Sequence, residues 1–139
     1  MEVTILKRSF LQRLFGLPVT QPPQDPHCWR YEGGEVVVDL SRAPEITRRG
    51  GGIRLEGKGL PDRVLVIHGE DGRYHAFRNR CGHMGRRLDP VPGTETVQCC
   101  SVGKTTYDYG GKALHGPAKK PAGCHAVQVE DGRIRISLR

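Results

Sequence analysis

Two stretches of the sequence carry residue types and spacings that suit metal binding. Cys81-Gly-His83 places a thiol and an imidazole two positions apart, and sixteen residues separate His83 from another thiol at Cys100. Residues two apart on an extended strand face the same side, so Cys81 and His83 can point to one centre. Thiolate and imidazole ligands suit zinc and iron–sulfur centres far better than calcium or magnesium. We therefore expect metal or redox chemistry where these two stretches meet.

Composition favours strands over helices for the scaffold that positions these residues. The chain of 139 residues has the size of one domain, and it contains 19 glycines and 10 prolines with only 6% aromatic residues. This mixture is typical of short strands joined by tight turns. The five cysteines, at positions 28, 81, 99, 100 and 124, are an odd number, which argues against a complete disulfide framework.

Alternating apolar residues mark the strands. The stretch RVLVIHGEDGRYHAFRN (63–79) predicts a hairpin around a Gly-Glu-Asp-Gly turn, and AVQVEDGRIRISL (126–138) predicts another. EVVVDL (35–40) and GIRLEG (52–57) are further strand candidates. The unusual residues fall in two loops between the hairpins, at 80–90 and 99–106. We predict a mainly β fold, with one antiparallel domain over residues 28–139.

The first 27 residues differ in pattern from the rest. Apolar residues recur at helical spacing near the start of the chain, which predicts a short amphipathic helix over residues 1–17. The prolines of PVTQPPQDP predict an extended linker over residues 18–27. No window approaches the roughly 20 apolar residues that a membrane span needs. We expect the helix to dock on the domain, on a partner or on a membrane surface.

The two loops together resemble those of the Rieske iron–sulfur family, whose pattern is Cys-x-His, a spacer of similar length, and then Cys-x-x-His. YHAFRNRCGHMGRRL resembles the first cluster loop and the strand that leads into it. CSVGKTTYDYGGKALHGPAKKP resembles the second loop, the Tyr-Asp and Gly-Gly after it, and the Gly-Pro-Ala loop that covers the cluster. The resemblance runs from about residue 28 to 138. It implies stacked antiparallel sheets with a 2Fe–2S cluster at a tip formed by two loops.

The resemblance also implies roles for individual residues. Cys81 and Cys100 would hold one iron of the cluster, and His83 would hold the other. The family's second histidine falls on Gly103, which has no side chain that could bind metal. The resemblance further implies that seven residues support the two cluster loops, namely Gly82, Gly85, Gly103, Tyr107, Asp108, Gly116 and Pro117.

Three interpretations of Gly103 stay open at this point. In the first, a 2Fe–2S cluster keeps a substituted fourth ligand, either Cys99 beside Cys100 or His115 just before the covering loop. Adjacent residues on a regular strand point to opposite faces, so Cys99 and Cys100 both bind one centre only if the backbone kinks. In the second, the iron at His83 has an open position, filled by water, a small molecule or a partner's side chain. In the third, the cluster is lost, and a mononuclear zinc or iron site or no metal remains.

A retained centre is favoured, because drift after loss of function should erode every ligand, whereas Cys81, His83 and Cys100 are all present. The sequence then predicts a small iron–sulfur electron carrier. The alternative is a cluster-less or zinc-binding accessory subunit that binds a larger redox enzyme. No nucleophile–base pair is recognisable, so an enzyme in its own right is disfavoured.

The charge of the chain bears on its partners. The formal net charge is +7, with lysine and arginine scattered along the sequence. Such a surface suits an acidic redox protein or an acidic enzyme subunit, with the N-terminal helix as another point of contact. Nothing interleaves the charges with aromatic stacking residues, so nucleic acid is not expected as a partner. The expected compartment is the cytoplasm.

Overall fold

The strands dominate the structure, which is a computed structural model describing residue 5 and residues 18–81, 85–100, 103–117 and 120–138. Within these ranges the strands are β1 (Trp29–Glu32), β2 (Glu35–Asp39), β3 (Gly52–Leu55), β4 (Val64–His68), β5 (Tyr74–Arg78), β6 (Leu88–Pro90), β7 (Thr96–Cys99), β8 (Thr106–Asp108), β9 (Ala113–His115), β10 (Cys124–Glu130) and β11 (Arg133–Ser137). Single 3₁₀ turns occur at Pro26–Cys28, Leu40–Arg42 and Pro44–Ile46. The predicted N-terminal helix, residues 1–17, lies outside the described residues except for residue 5.

Two antiparallel sheets organise the strands. The larger sheet has the order β1-β2-β11-β10-β5-β4-β3, and the smaller has the order β6-β7-β8-β9. Both hairpins expected from the apolar alternation are present, as β4–β5 and β10–β11. The prediction of a mainly β fold built from stacked antiparallel sheets is confirmed.

Strand β4 separates two apolar clusters. Its four apolar residues are fully buried, and they alternate between the clusters: Val64 and Val66 face the first, whereas Leu65 and Ile67 face the second. Successive side chains of a strand point to opposite faces, so a strand that is buried on both faces needs an unbroken apolar run. The second cluster is the one that reaches the candidate ligands, since it contains both Cys81 and Cys99.

The smaller sheet carries the two loops of interest. The first loop, residues 79–87, connects β5 to β6, and the second loop, residues 100–105, connects β7 to β8. Strand β7 lies between β6 and β8, pairing Leu88 with Cys99 on one side and Gln98 with Thr106 on the other. The first loop therefore comes from β5 of the larger sheet and enters β6, and the second loop leaves β7, the neighbour of β6 in the smaller sheet.

The segment before β1 is hydrogen-bonded to the domain. Asp89, fully buried on β6, accepts the backbone N–H groups of Val19 at 3.0 Å and Thr20 at 2.7 Å. Arg54 on β3 donates its backbone N–H to the Gln21 carbonyl at 3.1 Å and its Nε to the Thr20 carbonyl at 3.0 Å. The start of the predicted linker thus lies against two strands, while the domain boundary at residue 27 stays a prediction.

Candidate metal centre

The two cysteines expected to share one iron are tied to consecutive residues of the first loop. The Cys81 N–H donates to the Arg86 carbonyl at 2.7 Å, and the Cys100 N–H donates to the Arg87 carbonyl at 3.0 Å. Both side chains are buried, with exposed fractions of 2% for Cys81 and 0% for Cys100. The backbone of residues 86 and 87 therefore brings the two loops together at two buried thiols.

A backbone hydrogen bond joins Gly85 to Cys81 in the first loop. The Gly85 N–H donates to the Cys81 carbonyl at 2.9 Å, and Gly85 adopts a φ of 67°, which a glycine reaches without a steric penalty. The Gly85 carbonyl in turn accepts Nη2 of Arg63 at 2.5 Å. Arg63 also donates Nε to the Asn79 carbonyl at 3.1 Å. One arginine from the start of β4 thus braces the first loop at two points.

Asn79 fastens the two ends of the first loop to each other. This fully buried side chain accepts the Leu88 N–H with Oδ1 at 2.6 Å, and its backbone N–H donates to the Arg63 carbonyl at 2.9 Å. Its Nδ2 has no hydrogen-bond partner among the described residues. Buried polar groups are nearly always hydrogen-bonded, so an unused donor at the base of this loop is unusual.

Tyr107 links the smaller sheet to the first loop. The side chain is fully buried on β8, and its hydroxyl lies 3.7 Å from Cys81 Sγ. A hydrogen bond from a hydroxyl to a sulfur ligand stabilises the thiolate form and tunes a metal bound to it. Asp108, the next residue, stabilises a turn instead, because its Oδ1 accepts the Lys112 N–H at 2.8 Å.

The second loop is closed by backbone contacts. The Cys99 N–H donates to the Thr105 carbonyl at 2.7 Å, and Lys104 adopts a φ of 55°. Gly116, with a φ of 97°, packs so closely that a Cβ there would lie 2.5 Å from Thr105 Cα. The turn that begins at Gly116 and Pro117 therefore lies directly on the second loop, and only glycine permits that approach.

The two candidates for the fourth ligand occupy different surroundings. Cys99 packs in the second apolar cluster. Its N–H donates to Thr105, just before β8, whereas the Cys100 N–H donates to Arg87 in the first loop. The two N–H groups therefore point in opposite directions, as successive residues of a regular strand do. His115 is exposed at the end of β9, where its Cα pairs with that of Thr106. Gly103 is half-buried, and Gly82 and His83 lie outside the described residues. In the described part of the chain, no three His, Cys, Asp or Glu side chains gather closely enough to hold a metal ion.

A charged network surrounds the first loop. Glu56 accepts two hydrogen bonds from Arg87 and one from Arg54, and these lower the pKa of its carboxyl from 4.5 to about 2 despite partial burial. Hydrogen bonding to Glu56 raises the pKa of Arg87, to which the nearby charge of Cys100 adds. Burial lowers the pKa of Arg63, with further contributions from the positive charges of Arg87 and Arg80.

The donor set fits one half of an iron–sulfur group. Cys81 and Cys100 supply buried thiols, the Tyr107 hydroxyl contacts one sulfur, and the Asn79 amide offers an unused donor. Soft thiolates of this kind suit iron–sulfur and zinc centres. The other half has no side-chain ligand at Gly103, and His83 lies outside the described residues.

Comparison with protein families identifies the class to which this fold and these loops belong. Residues 37–130 match the model of the Rieske [2Fe-2S] domain. The chain therefore belongs to the Rieske [2Fe-2S] domain family.

Individual relatives cover different shares of the chain. The oxygenase subunit of glycine betaine monooxygenase from Pseudomonas aeruginosa is 34% identical over an alignment of 105 residues that covers 68% of this chain and 24% of that protein. The iron-sulfur subunit of the cytochrome b6-f complex from Chlorobaculum tepidum is 33% identical over an alignment of 79 residues that covers 55% of this chain and 41% of that subunit. This chain thus spans about a quarter of the first relative and less than half of the other.

A solved structure supports the fold independently. The ferredoxin of carbazole 1,9a-dioxygenase from Nocardioides aromaticivorans IC177 aligns with a TM-score of 0.59 at 19% identity, over 74% of this chain and 95% of that chain. At this identity the likeness establishes the shared fold and does not carry residue roles.

Two functional side chains near the loops were not singled out by the sequence. Asn79 could have been noticed, because it is a polar residue directly before the Arg-Cys of the first loop. Glu56 gives no such signal, since it lies 31 positions from Arg87 and belongs to no motif. Only the pairing of distant strands brings that carboxylate to the loop.

Proposed function

We propose that the chain is a small Rieske-type electron-transfer protein with an altered ligand set. The observation that carries this proposal is the tie of Cys81 and Cys100 to the adjacent carbonyls of Arg86 and Arg87. This arrangement places two buried cysteines where the two loops meet, which supports a shared iron. Membership of the family supports the cofactor, a 2Fe–2S cluster.

For the ligands, we propose Cys81 and Cys100 on one iron and His83 with His115 on the other. His115 is preferred to Cys99 for two reasons. Cys99 packs in an apolar cluster, and its backbone N–H points in the opposite direction to that of Cys100, as in a regular strand. The turn after His115 packs on the second loop, two residues beyond Gly103, which supports a route for an imidazole to the open position.

A bound 2Fe–2S cluster accepts and releases one electron. The protein's part is to hold the thiolates, to exclude water and to favour added negative charge. Tyr107 and the apolar residues packed around Cys81 keep that sulfur dry and offer it a hydroxyl. The arginine side chains at the first loop supply positive charge, which stabilises the reduced and more negative state.

We propose an acidic redox protein or enzyme subunit as the partner. Arg78, at the end of β5, and Arg80, in the first loop, have side chains that are 54% and 46% exposed, and they share Asp62. A basic surface of this kind steers an acidic partner toward the loops. Residues 1–17 would provide a further contact, and the cytoplasm is the proposed compartment. Among the described residues no helix is long and apolar enough to cross a bilayer.

The direct test is the composition of protein purified without oxygen. Iron, acid-labile sulfide and zinc are measured per chain, and an EPR spectrum is recorded after reduction. We expect two irons and two sulfides per chain, as a 2Fe–2S group requires. Absence of both after reconstitution would contradict the proposal.

The fourth ligand is tested by a matched set of variants. His115→Ala should change the EPR g values and weaken retention of iron, whereas Cys99→Ser and the exposed His27→Ala should leave both as in the wild type. If Cys99→Ser alone changes the spectrum, the ligand is that thiol. If none of the three does, the position is filled from outside the chain. Gly103→His should leave the reduction potential close to that of the wild type, because His115 already supplies the second imidazole, whereas a rise would indicate that the fourth ligand is a thiolate.

An accessory subunit without a cluster is the second candidate. It is favoured by Gly103 and by the lack of a three-donor site among the described residues. A colourless, folded protein that binds zinc or no metal would support it over the electron carrier.

A further inference from the structure

An ion pair joins the end of β3 to the end of the first loop. Arg87 donates Nε to Oε2 of Glu56 at 2.7 Å and Nη2 to Oε1 at 2.8 Å, which is the two-pronged geometry that makes arginine–carboxylate pairs strong. The two side chains are only 30% and 28% exposed. Solvent and salt therefore screen this pair less than an ordinary surface pair.

Glu56 is held from its other side as well. Arg54 donates Nη1 to Oε2 of Glu56 at 2.9 Å, and the Nε of the same arginine is bonded to the Thr20 carbonyl. Because Arg54 is fixed in this way, Glu56 has a defined position against which Arg87 is set. The three groups together carry one net positive charge beside the first loop.

Arg87 connects this network to a candidate ligand. Its carbonyl accepts the Cys100 N–H at 3.0 Å, so the residue that carries the charge is also the backbone neighbour of the buried thiol. Cys100 belongs to neither apolar cluster, in contrast to Cys99 on the preceding position. Because Arg87 is bonded to Cys100 through the backbone, a change of charge at Glu56 or Arg87 is made at a partly buried pair next to that thiol.

We propose that Glu56 and Arg87 are positioning residues that set the electrostatic potential at Cys100, and with it the readiness of the centre there to take up negative charge. Arg87 favours added negative charge at the sulfur. Glu56 fixes the Arg87 guanidinium and offsets its charge. The electrostatic potential at Cys100 therefore lies between the values expected with only one of the two charges present. The consequence for electron transfer rests on the proposed function, whereas the electrostatic effect at Cys100 does not.

The two single substitutions separate this role from a structural one. Glu56→Gln and Arg87→Gln break the same hydrogen-bonded pair, so a purely structural role would move both variants in the same direction. An electrostatic role moves them in opposite directions: the reduction potential should rise in Glu56→Gln and fall in Arg87→Gln. The double variant should return close to the wild type, and all shifts should shrink at high salt.

Cadmium binding to metal-free protein gives a second readout that needs no cluster. Cadmium affinity is measured from the sulfur-to-metal charge-transfer absorbance at a pH at which the two thiols are ionised, so that binding adds positive charge instead of exchanging the ion for protons. Extra positive charge repels the ion, so Glu56→Gln should bind cadmium about three- to tenfold more weakly and Arg87→Gln more tightly by a similar factor. Arg87→Lys keeps the charge and should stay within about twofold of the wild type. Glu32→Gln, in the exposed pair with Arg30 on β1, is the matched control and should not change the affinity.

The outcomes distinguish this inference from the proposed function. Opposite shifts in cadmium affinity in a protein without iron or sulfide would support the inference and contradict the electron carrier. Equal or absent shifts in a protein with a full cluster would overturn the inference and leave the electron carrier standing. An Arg87→Lys variant that behaves like Arg87→Gln would also overturn it, because geometry and not charge would then be the cause.

Discussion

Both loops contain backbone hydrogen bonds, but the first loop is held in addition by side chains from distant parts of the chain, whereas the described part of the second loop is held in addition by one close glycine contact. Arg63 and Asn79 bond to the backbone of the first loop, and Glu56 bonds to Arg87 at its end. The second loop is closed by the Cys99 N–H on the Thr105 carbonyl and is covered by Gly116. Each loop presents one buried thiol, but different forces position it.

This difference determines what each loop responds to. A loop braced by ion pairs and polar side chains depends on pH and salt, because charged partners must stay ionised. A loop braced by backbone and close packing depends on shape, and a single added methyl group disturbs it. Changes at the first loop should therefore appear as electrostatic effects, and changes at the second as steric ones.

The largest effect is expected when the buried thiol that each loop presents is removed. Cys81→Ser and Cys100→Ser each delete one thiolate, and iron content should fall below about a tenth of the wild-type value in both, because a hydroxyl is a poor ligand for iron–sulfur centres. Cys124→Ser, at an exposed cysteine on β10, is the control and should keep its iron. Retention of iron in either loop variant would remove that cysteine from the ligand set.

The second prediction concerns the packing of the second loop. Gly116→Ala should lower the free energy of unfolding by about 3 kcal/mol, because it combines a positive φ with a Cβ driven into the Thr105 backbone. Gly132→Ala has a similar φ of 73° but open space around the new Cβ, so it should cost only about 1 kcal/mol. Denaturant unfolding of both metal-free variants gives the comparison. Equal losses would mean that the contact with the second loop contributes nothing.

The third prediction tests the electrostatic bracing of the first loop. The pKa of Glu56 is lowered from 4.5 to about 2 in the folded state, so its contribution to stability is complete above pH 5 and is lost as the pH falls toward 2. With allowance for partial exposure, this contribution is about 2 kcal/mol.

Unfolding of metal-free wild type and Glu56→Gln at pH 6 and pH 3 isolates that carboxyl from others whose pKa is also lowered, such as Asp25 and Asp39. The wild type should lose more stability than the variant over this interval. Parallel losses would show that the ion pair does not brace the loop.

The smallest effect concerns the contact between the loops. Tyr107→Phe removes the hydroxyl that lies 3.7 Å from Cys81 Sγ, and the reduction potential should fall by about 20–60 mV, which is the scale of one hydrogen bond to a charged sulfur. Tyr109→Phe is the matched control, because its hydroxyl contacts the Glu70 N–H and the Thr94 carbonyl and not a sulfur. A shift of the same size in both variants would assign it to general packing.

Local sequence patterns predicted much of the fold. Apolar alternation around Gly-containing turns predicted both hairpins, because the two-residue period of a strand is visible in the sequence itself. The short strands β1 and β6 left no comparable pattern, since three or four residues are too few to display a period. The double burial of β4 became clear only from the structure, because an apolar run does not say what covers each face.

The candidate site was predictable where it depended on motifs. Spacing and resemblance drew attention to Cys81 and Cys100, and the structure shows how two adjacent carbonyls hold them. The roles of Glu56 and Arg63 could not be read from the sequence, because each bonds to a residue more than twenty positions away. The ligands at His83 and at the position of Gly103 stay predictions.

The buried carboxylate of Asp89 has a practical consequence for anyone who wishes to trim this chain. Two of its hydrogen bonds come from the backbone of Val19 and Thr20, so a shortened protein that begins at residue 28 would lose both donors while the charge stayed in the interior. Such a truncation should fold poorly, although it removes only residues outside the β domain as predicted from sequence. A shortened protein for expression should therefore keep Val19 and Thr20.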